Sequence, residues 1–134
     1  KSFTTLFGTN HGFNGLMDYF YVGNHKNSVG VQDIYTKFIY DKNKWQVTFA
    51  PHLFYSAASV YNMTTLEEQD SYLGTEIDLT ATYKMDKNFV ISGGVSKMFA
   101  SDTMVILKGG NNNNCNNWAW VMISFNPQLF TYKK

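Results

Sequence analysis

From Glu76 to Met85 polar and apolar residues alternate without a break. Glu76, Asp78, Thr80, Thr82 and Lys84 interleave with Ile77, Leu79, Ala81, Tyr83 and Met85. A period of two belongs to extended backbone, because successive side chains of a strand point to opposite faces. A helix would scatter the same pattern around its circumference. The segment is therefore expected to be a strand with one hydrophilic face and one apolar face. Such a strand suits a soluble sheet, whose polar face meets bulk water. It suits a membrane barrel equally well, with lipid on the apolar face and a wet lumen on the other. Alternation alone leaves both settings open.

Four more stretches have the strand-like enrichment in β-branched and aromatic residues, bounded by Asn, Asp, Gly or Lys. With the first they cover residues 29–40, 45–57, 72–85, 89–100 and 117–127. The spacing between them separates the two settings. Asp41-Lys42-Asn43-Lys44 and Asp86-Lys87-Asn88 are tight polar turns, whereas 58–71 and 101–116 are long connections. A short, long, short, long order is that of outer-membrane barrels, where periplasmic turns are short and extracellular loops long. Tyr40, Trp45, Tyr83 and Phe89 flank the short turns. Phe54, Tyr55, Tyr61, Tyr72, Phe99 and Trp118 gather near the long loops, as the aromatic girdles of a barrel would.

Composition fits this pattern. Aromatic residues make up 17% of the chain and charged residues only 16%, against roughly 25% charged in an ordinary globular domain. No stretch approaches the ~20 apolar residues of a membrane helix, while a barrel strand needs only about 10 residues with every second one apolar. The net charge of +1 argues against a nucleic-acid partner. Arginine is absent, so all 11 basic residues are lysines. Cys115 is the one cysteine and sits in an asparagine-rich stretch expected to be loop.

Two residues resist a simple barrel strand. Pro51 lacks the donor that an interior strand needs, which predicts a bulge there. Lys97 shares its face with Phe89, Ile91, Val95 and Phe99. It must either lie near the membrane rim or change face through a bulge at Gly93-Gly94.

Residues 1–28 show no clean period and are expected to form a loop segment, with one helical turn conceivable at 16–20. The run from Phe7 to Phe20, closing on Gly23-Asn24, resembles a signature of the alginate-export family of outer-membrane porins. In that signature a Thr-Asn-His, here Thr9, Asn10 and His11, precedes a glycine, here Gly15. An aspartate with aromatic neighbours, Asp18, and an asparagine, Asn24, follow. Later segments, YLGTEIDLTATYK, SKMFASD and NNWAWVMISFNP, resemble the C-terminal end of related Bacteroidetes-type barrels. The resemblance implies an all-β, antiparallel up-and-down transmembrane barrel in the bacterial outer membrane, with residues 29–134 supplying about five C-terminal strands. It also implies membrane lipid or lipopolysaccharide as surroundings and a polar solute or polysaccharide as cargo. The chain departs from the family's arginine- and lysine-rich lumen in having no arginine.

Strand number points the same way. A sheet closes around a filled interior at about 8 strands and around an aqueous pore at about 16. Five strands leave unpaired edges that lipid cannot satisfy. The remaining strands are expected from a longer chain, or from further copies in an oligomeric barrel.

The expected function is a porin-like channel. Asp33, Lys37, Glu76, Asp78, Thr80, Thr82 and Lys84 would line its lumen, without catalysis, cofactor or metal. The carboxylates Glu76 and Asp78 fit a channel wall better than a glycosidase pair, since Thr80, Thr82 and Lys84 continue their row. The histidines His11, His25 and His52 lack metal-ligand spacing, and the acidic Glu67, Glu68 and Asp70 fit a solvated loop better than a calcium site. The alternative is a soluble or surface-exposed β-sheet module that binds carbohydrate or lipid.

Overall fold

The computed structural model describes residues 12–21 and 29–130. The described chain is mainly antiparallel β-sheet: β1 (Val31–Tyr35), β2 (Phe38–Lys42), β3 (Trp45–Ser56), β4 (Val60–Tyr61), β5 (Glu68–Gln69), β6 (Tyr72–Lys84), β7 (Phe89–Ala100) and β8 (Asn116–Phe125). One short helix, α1 (Asp102–Lys108), lies between β7 and β8. The main sheet has the order β1-β3-β6-β7-β8, with β2 also paired to β3; β4 and β5 form a separate hairpin. This is an all-β, up-and-down meander. Among the described residues it is an open sheet, with β1 and β2 at one edge and β8 at the other.

The strands begin and end close to where alternation places them, and the exceptions have identifiable causes. The expected strand 29–40 is divided. Tyr35 pairs with His52 and Phe38 with Phe49, so β1 and β2 keep one register along β3. Between them Thr36 donates its amide to the Pro51 carbonyl at 3.3 Å. Pro51 has no N–H to return, and the ladder lapses there. No bulge forms at Pro51, contrary to expectation: its pairing with Ile77 is in register, and the one irregularity between β3 and β6 falls at Phe54/Tyr55. Because Phe54 pairs with Gly74 and Tyr55 with Tyr72, Leu73 is the extra residue. It turns inward and is 1% exposed.

The register between β6 and β7 runs unbroken from Gly74–Ala100 to Lys84–Val90, so Gly93-Gly94 is not a bulge either. Lys97 stays on the apolar face, opposite Ile77 and Asn117, near the long-loop end of β7. Its ammonium lies 5.0 Å from the Phe99 ring centroid.

The first turn is shorter than expected. Pairing continues to Lys42–Trp45, leaving Asn43-Lys44 as the loop, with Asn43 left-handed at φ 57°. In the second turn Asp86 Oδ1 accepts from the amides of Asn88 (2.7 Å) and Phe89 (3.1 Å), the local bonding that makes aspartate a turn former.

The long connections carry structure that the strand pattern does not reveal, namely the β4–β5 hairpin and α1. Helix α1 starts at Ser101, whose hydroxyl accepts from the Met104 amide and donates to the Tyr72 carbonyl, and it stops at Gly109, φ 76°. Bends and turns, and no helical turn, run through residues 12–21, in keeping with the loop expected there.

One face of the sheet, called inner here, is covered at the long-loop end. Phe20, Phe54, Leu73, Met98 and Met104 form a buried cluster there, with Phe20 and Phe54 ring centroids 4.6 Å apart. Phe54 is therefore a core residue, not part of an outward aromatic girdle. Trp118 also shares the inner register, opposite Ser96. The opposite, outer face carries Leu53, Phe49, Leu79, Val95, Val121 and Ile123, all substantially exposed.

Candidate functional site: a strapped polar row on the inner face

Register brings residues from four strands into one polar row on the inner face. His52 of β3 lies between two carboxylates. Its Nδ1 is 2.9 Å from Asp33 Oδ2 of β1, and its Nε2 is 3.7 Å from Asp78 Oδ2 of β6. On the far side, Ser96 of β7 donates its hydroxyl to Asp78 Oδ1 at 2.5 Å. The side chains of His52, Asp33 and Asp78 are each less than a tenth exposed. Tyr35, directly opposite His52 in the register, stacks on its ring at 4.9 Å.

The stretch 12–21, here termed the strap, lies across this row. Glu76 holds it: Oε1 accepts the consecutive amides of Leu16 (2.7 Å) and Met17 (2.8 Å). The Leu16 amide also reaches Asp78 Oδ2 at 3.3 Å. These two bonds satisfy adjacent backbone donors at a side chain with no solvent exposure. The strap presents those amides because Asn14 and Gly15 are both left-handed, φ 60° and 82°. Asn14 closes the loop by donating Nδ2 to the Phe20 carbonyl at 3.1 Å. Phe20 then inserts into the core cluster, so the strap is bound at two points. Burial, and secondarily the Glu76 carboxylate, push the Tyr19 phenol above its ordinary value.

All seven residues expected to line a lumen fall on the inner face, but they differ in what they meet. Glu76 and Asp78 are buried beneath the strap. Asp33 is paired to His52. Thr80 faces a cleft, and Thr82 bonds the Ser92 hydroxyl at 3.1 Å. Lys84 is exposed at the short-turn end, and Lys37 is exposed with its ammonium 5.7 Å from the Tyr35 ring centroid. Of the motif residues, Gly15 is buried against Glu76 and Asp18 is half-buried. Thr9, Asn10, His11 and Asn24 lie outside the described residues.

Beside the strap opens a cleft of about 340 Å³. Gly12, Phe13 and Asn14 form its strap side; Asp33, Tyr35, Lys37 and His52 form one wall, and Thr48, Ala50 and Thr80 its floor. His52 and Ser96 did not stand out in the sequence. The signal for His52 was present: the two-residue turn at Asn43-Lys44 fixes the β2–β3 register, and counting back through it puts Asp33 and Tyr35 beside His52. No group of three or more His, Cys, Asp or Glu among the described residues is arranged to hold a metal. Compared with known proteins, the chain matches no family model, and no curated protein or solved structure is significantly similar to it.

Proposed function

We propose that these strands belong to an outer-membrane β-barrel of porin type, related to the alginate-export family, whose inner face lines a passage for polar solutes or polysaccharide. One observation carries this reading: the outer face is a continuous apolar surface bounded at both ends by aromatic rings. At the short-turn end Trp45 and Tyr83 meet at 4.7 Å and Phe89 and Phe125 at 6.2 Å, with Tyr40 beside them. At the other end Tyr55 and Tyr72 meet at 5.5 Å, alongside Phe99. Between Phe89 and Phe99 the strand rises ~33 Å, and a tilt of ~40° turns that into ~25 Å, the height of a barrel's lipid-facing band. Among the described residues, Lys97 is the one charged side chain on the outer rows between these belts. It sits where a long amphipathic side chain can reach the headgroups.

Soluble proteins rarely leave an apolar surface of this extent open to water. Lipid on that face and water on the polar one account for both. Closure requires further strands, from a longer chain or from other copies, because an open edge in lipid would strand backbone donors and acceptors. The strap then serves as an inward-folded segment that narrows the passage.

Detergent dependence and conductance test the proposal. The chain should need detergent to stay in solution, and the barrel that contains it should carry ions across a planar bilayer. A monodisperse, detergent-free monomer without conductance would favour a soluble or surface-exposed β-sheet module for carbohydrate or lipid.

A further inference from the structure

We infer that the cleft between the strap and the β1–β3–β6 wall is a subsite for an uncharged saccharide, discriminating against polyanionic ones. The inference rests on the reading above in taking the inner face as the one that meets solute.

The shape and mixture of groups point to this ligand class. The cleft's volume of about 340 Å³ lies within the range of small-molecule sites, roughly 300–1,000 Å³. Two aromatic rings border it, Phe13 on the strap at 71% exposure and Tyr35 on the wall at 55%. Tyr35 is braced from behind by its stack on His52. Exposed ring surface suits the C–H faces of a pyranose, which is apolar in its ring plane and polar at its rim. The rim would meet short polar groups with both donors and acceptors: the Asn14 amide and the Thr48 and Thr80 hydroxyls.

Charge narrows the choice. Asp33 and Asp78 set negative charge into this wall, and the chain has no arginine to clamp a carboxylate. An anionic sugar would be repelled. A cation would find the carboxylates already engaged, Asp33 by His52 and Asp78 by Ser96 and Leu16, and the Lys37 ammonium opposing it at the mouth. A neutral ligand rich in hydroxyls meets neither penalty. Both Asp33 and Lys37 can then serve it, one accepting and one donating.

The test uses the full chain in a detergent without a sugar headgroup, such as an alkyl amine oxide. Isothermal titration compares maltotriose and cellotriose, which are neutral, with trigalacturonate. At least one neutral trisaccharide should bind, and trigalacturonate should bind roughly tenfold more weakly or worse. Phe13→Ala and Tyr35→Ala remove exposed rings and should preserve the strand circular dichroism. Each should weaken the neutral ligand by roughly tenfold. Equal or tighter trigalacturonate binding, no neutral binding up to about 10 mM, or ring variants that bind like the parent would each overturn the inference. The two proposals fail separately. Selective saccharide binding without bilayer conductance supports the subsite while sinking the pore, and conductance without saccharide binding overturns the subsite alone.

Discussion

A methyl group added at Gly15 would fall 2.5 Å from Oε1 of Glu76. The missing side chain at residue 15 is what lets the strap's amides reach a carboxylate on the sheet. Gly15→Ala therefore faces two costs, a left-handed backbone that alanine disfavours and a collision with a buried group. Together these amount to about 2 kcal/mol or more, concentrated on strap docking and not on the strands. The expected outcome is normal strand circular dichroism with faster chymotrypsin cleavage at Phe13, Tyr19 and Phe20. Cleavage no faster than in the parent would show that the strap tolerates the clash by shifting.

Glu76 should hold the strap through its hydrogen bonds. Glu76→Gln keeps an oxygen for the Leu16 and Met17 amides, and its NH2 replaces Oε2, which is buried with no hydrogen-bond partner among the described residues. Stability in urea should change by less than about 1 kcal/mol. Glu76→Leu leaves the Met17 amide without its acceptor and the Leu16 amide with only its 3.3 Å bond to Asp78, and should cost about 1–3 kcal/mol for the unmet donor and up to as much again for the weakened one. Similar midpoints for the two variants would deny Glu76 its role as the strap's anchor.

The strand pattern was legible because a strand's two faces meet different surroundings, and that difference is written at every second position. From Trp45 to Ala100 alternation and turn residues locate β3, β6 and β7 within a residue or two. What escaped depends on partners. His52 is one of three scattered histidines until register places it between Asp33 and Asp78. Glu76 and Asp78 look like channel wall until a distant segment covers them. Leu73 breaks parity through a bulge that no residue type announces. Helix α1 is written in residue types that a strand pattern does not register. Ser101 followed by Asp102, apolar Met104 and Leu107 one turn apart, and Gly109-Gly110 beyond are a helix start, face and stop.

The inner cluster should control the strap from its other end. Phe54 is fully buried and its ring packs at a tilt against Phe20, so Phe54→Ala opens a cavity where strap, sheet and α1 meet. Such truncations cost about 3–5 kcal/mol. The urea midpoint in micelles should fall accordingly, and chymotrypsin should reach Phe20 more readily. A small change in midpoint would mean that the cluster collapses around the gap.

The outer face offers the sharpest test, because water and lipid predict opposite responses to one substitution. Val121 sits mid-strand on β8, opposite Gly93 and 79% exposed. In water, replacing an exposed valine by lysine changes stability by about 0.5 kcal/mol or less. At the midplane of a bilayer the same lysine costs about 2–4 kcal/mol, falling to about 0–1 near the interface. With lipid on that face, as proposed, Val121→Lys should destabilise the protein in phosphatidylcholine vesicles by the larger amount. Removing the native charge near the rim, Lys97→Leu, should shift stability by about 1 kcal/mol or less. The depth dependence is the informative quantity. A soluble sheet has no reason to treat a charge at position 121 differently from one at position 97, whereas a slab of hydrocarbon centred between the two aromatic belts does. Equal, small effects at both positions would place water against Leu79, Val95 and Val121 and remove the physical basis for the channel.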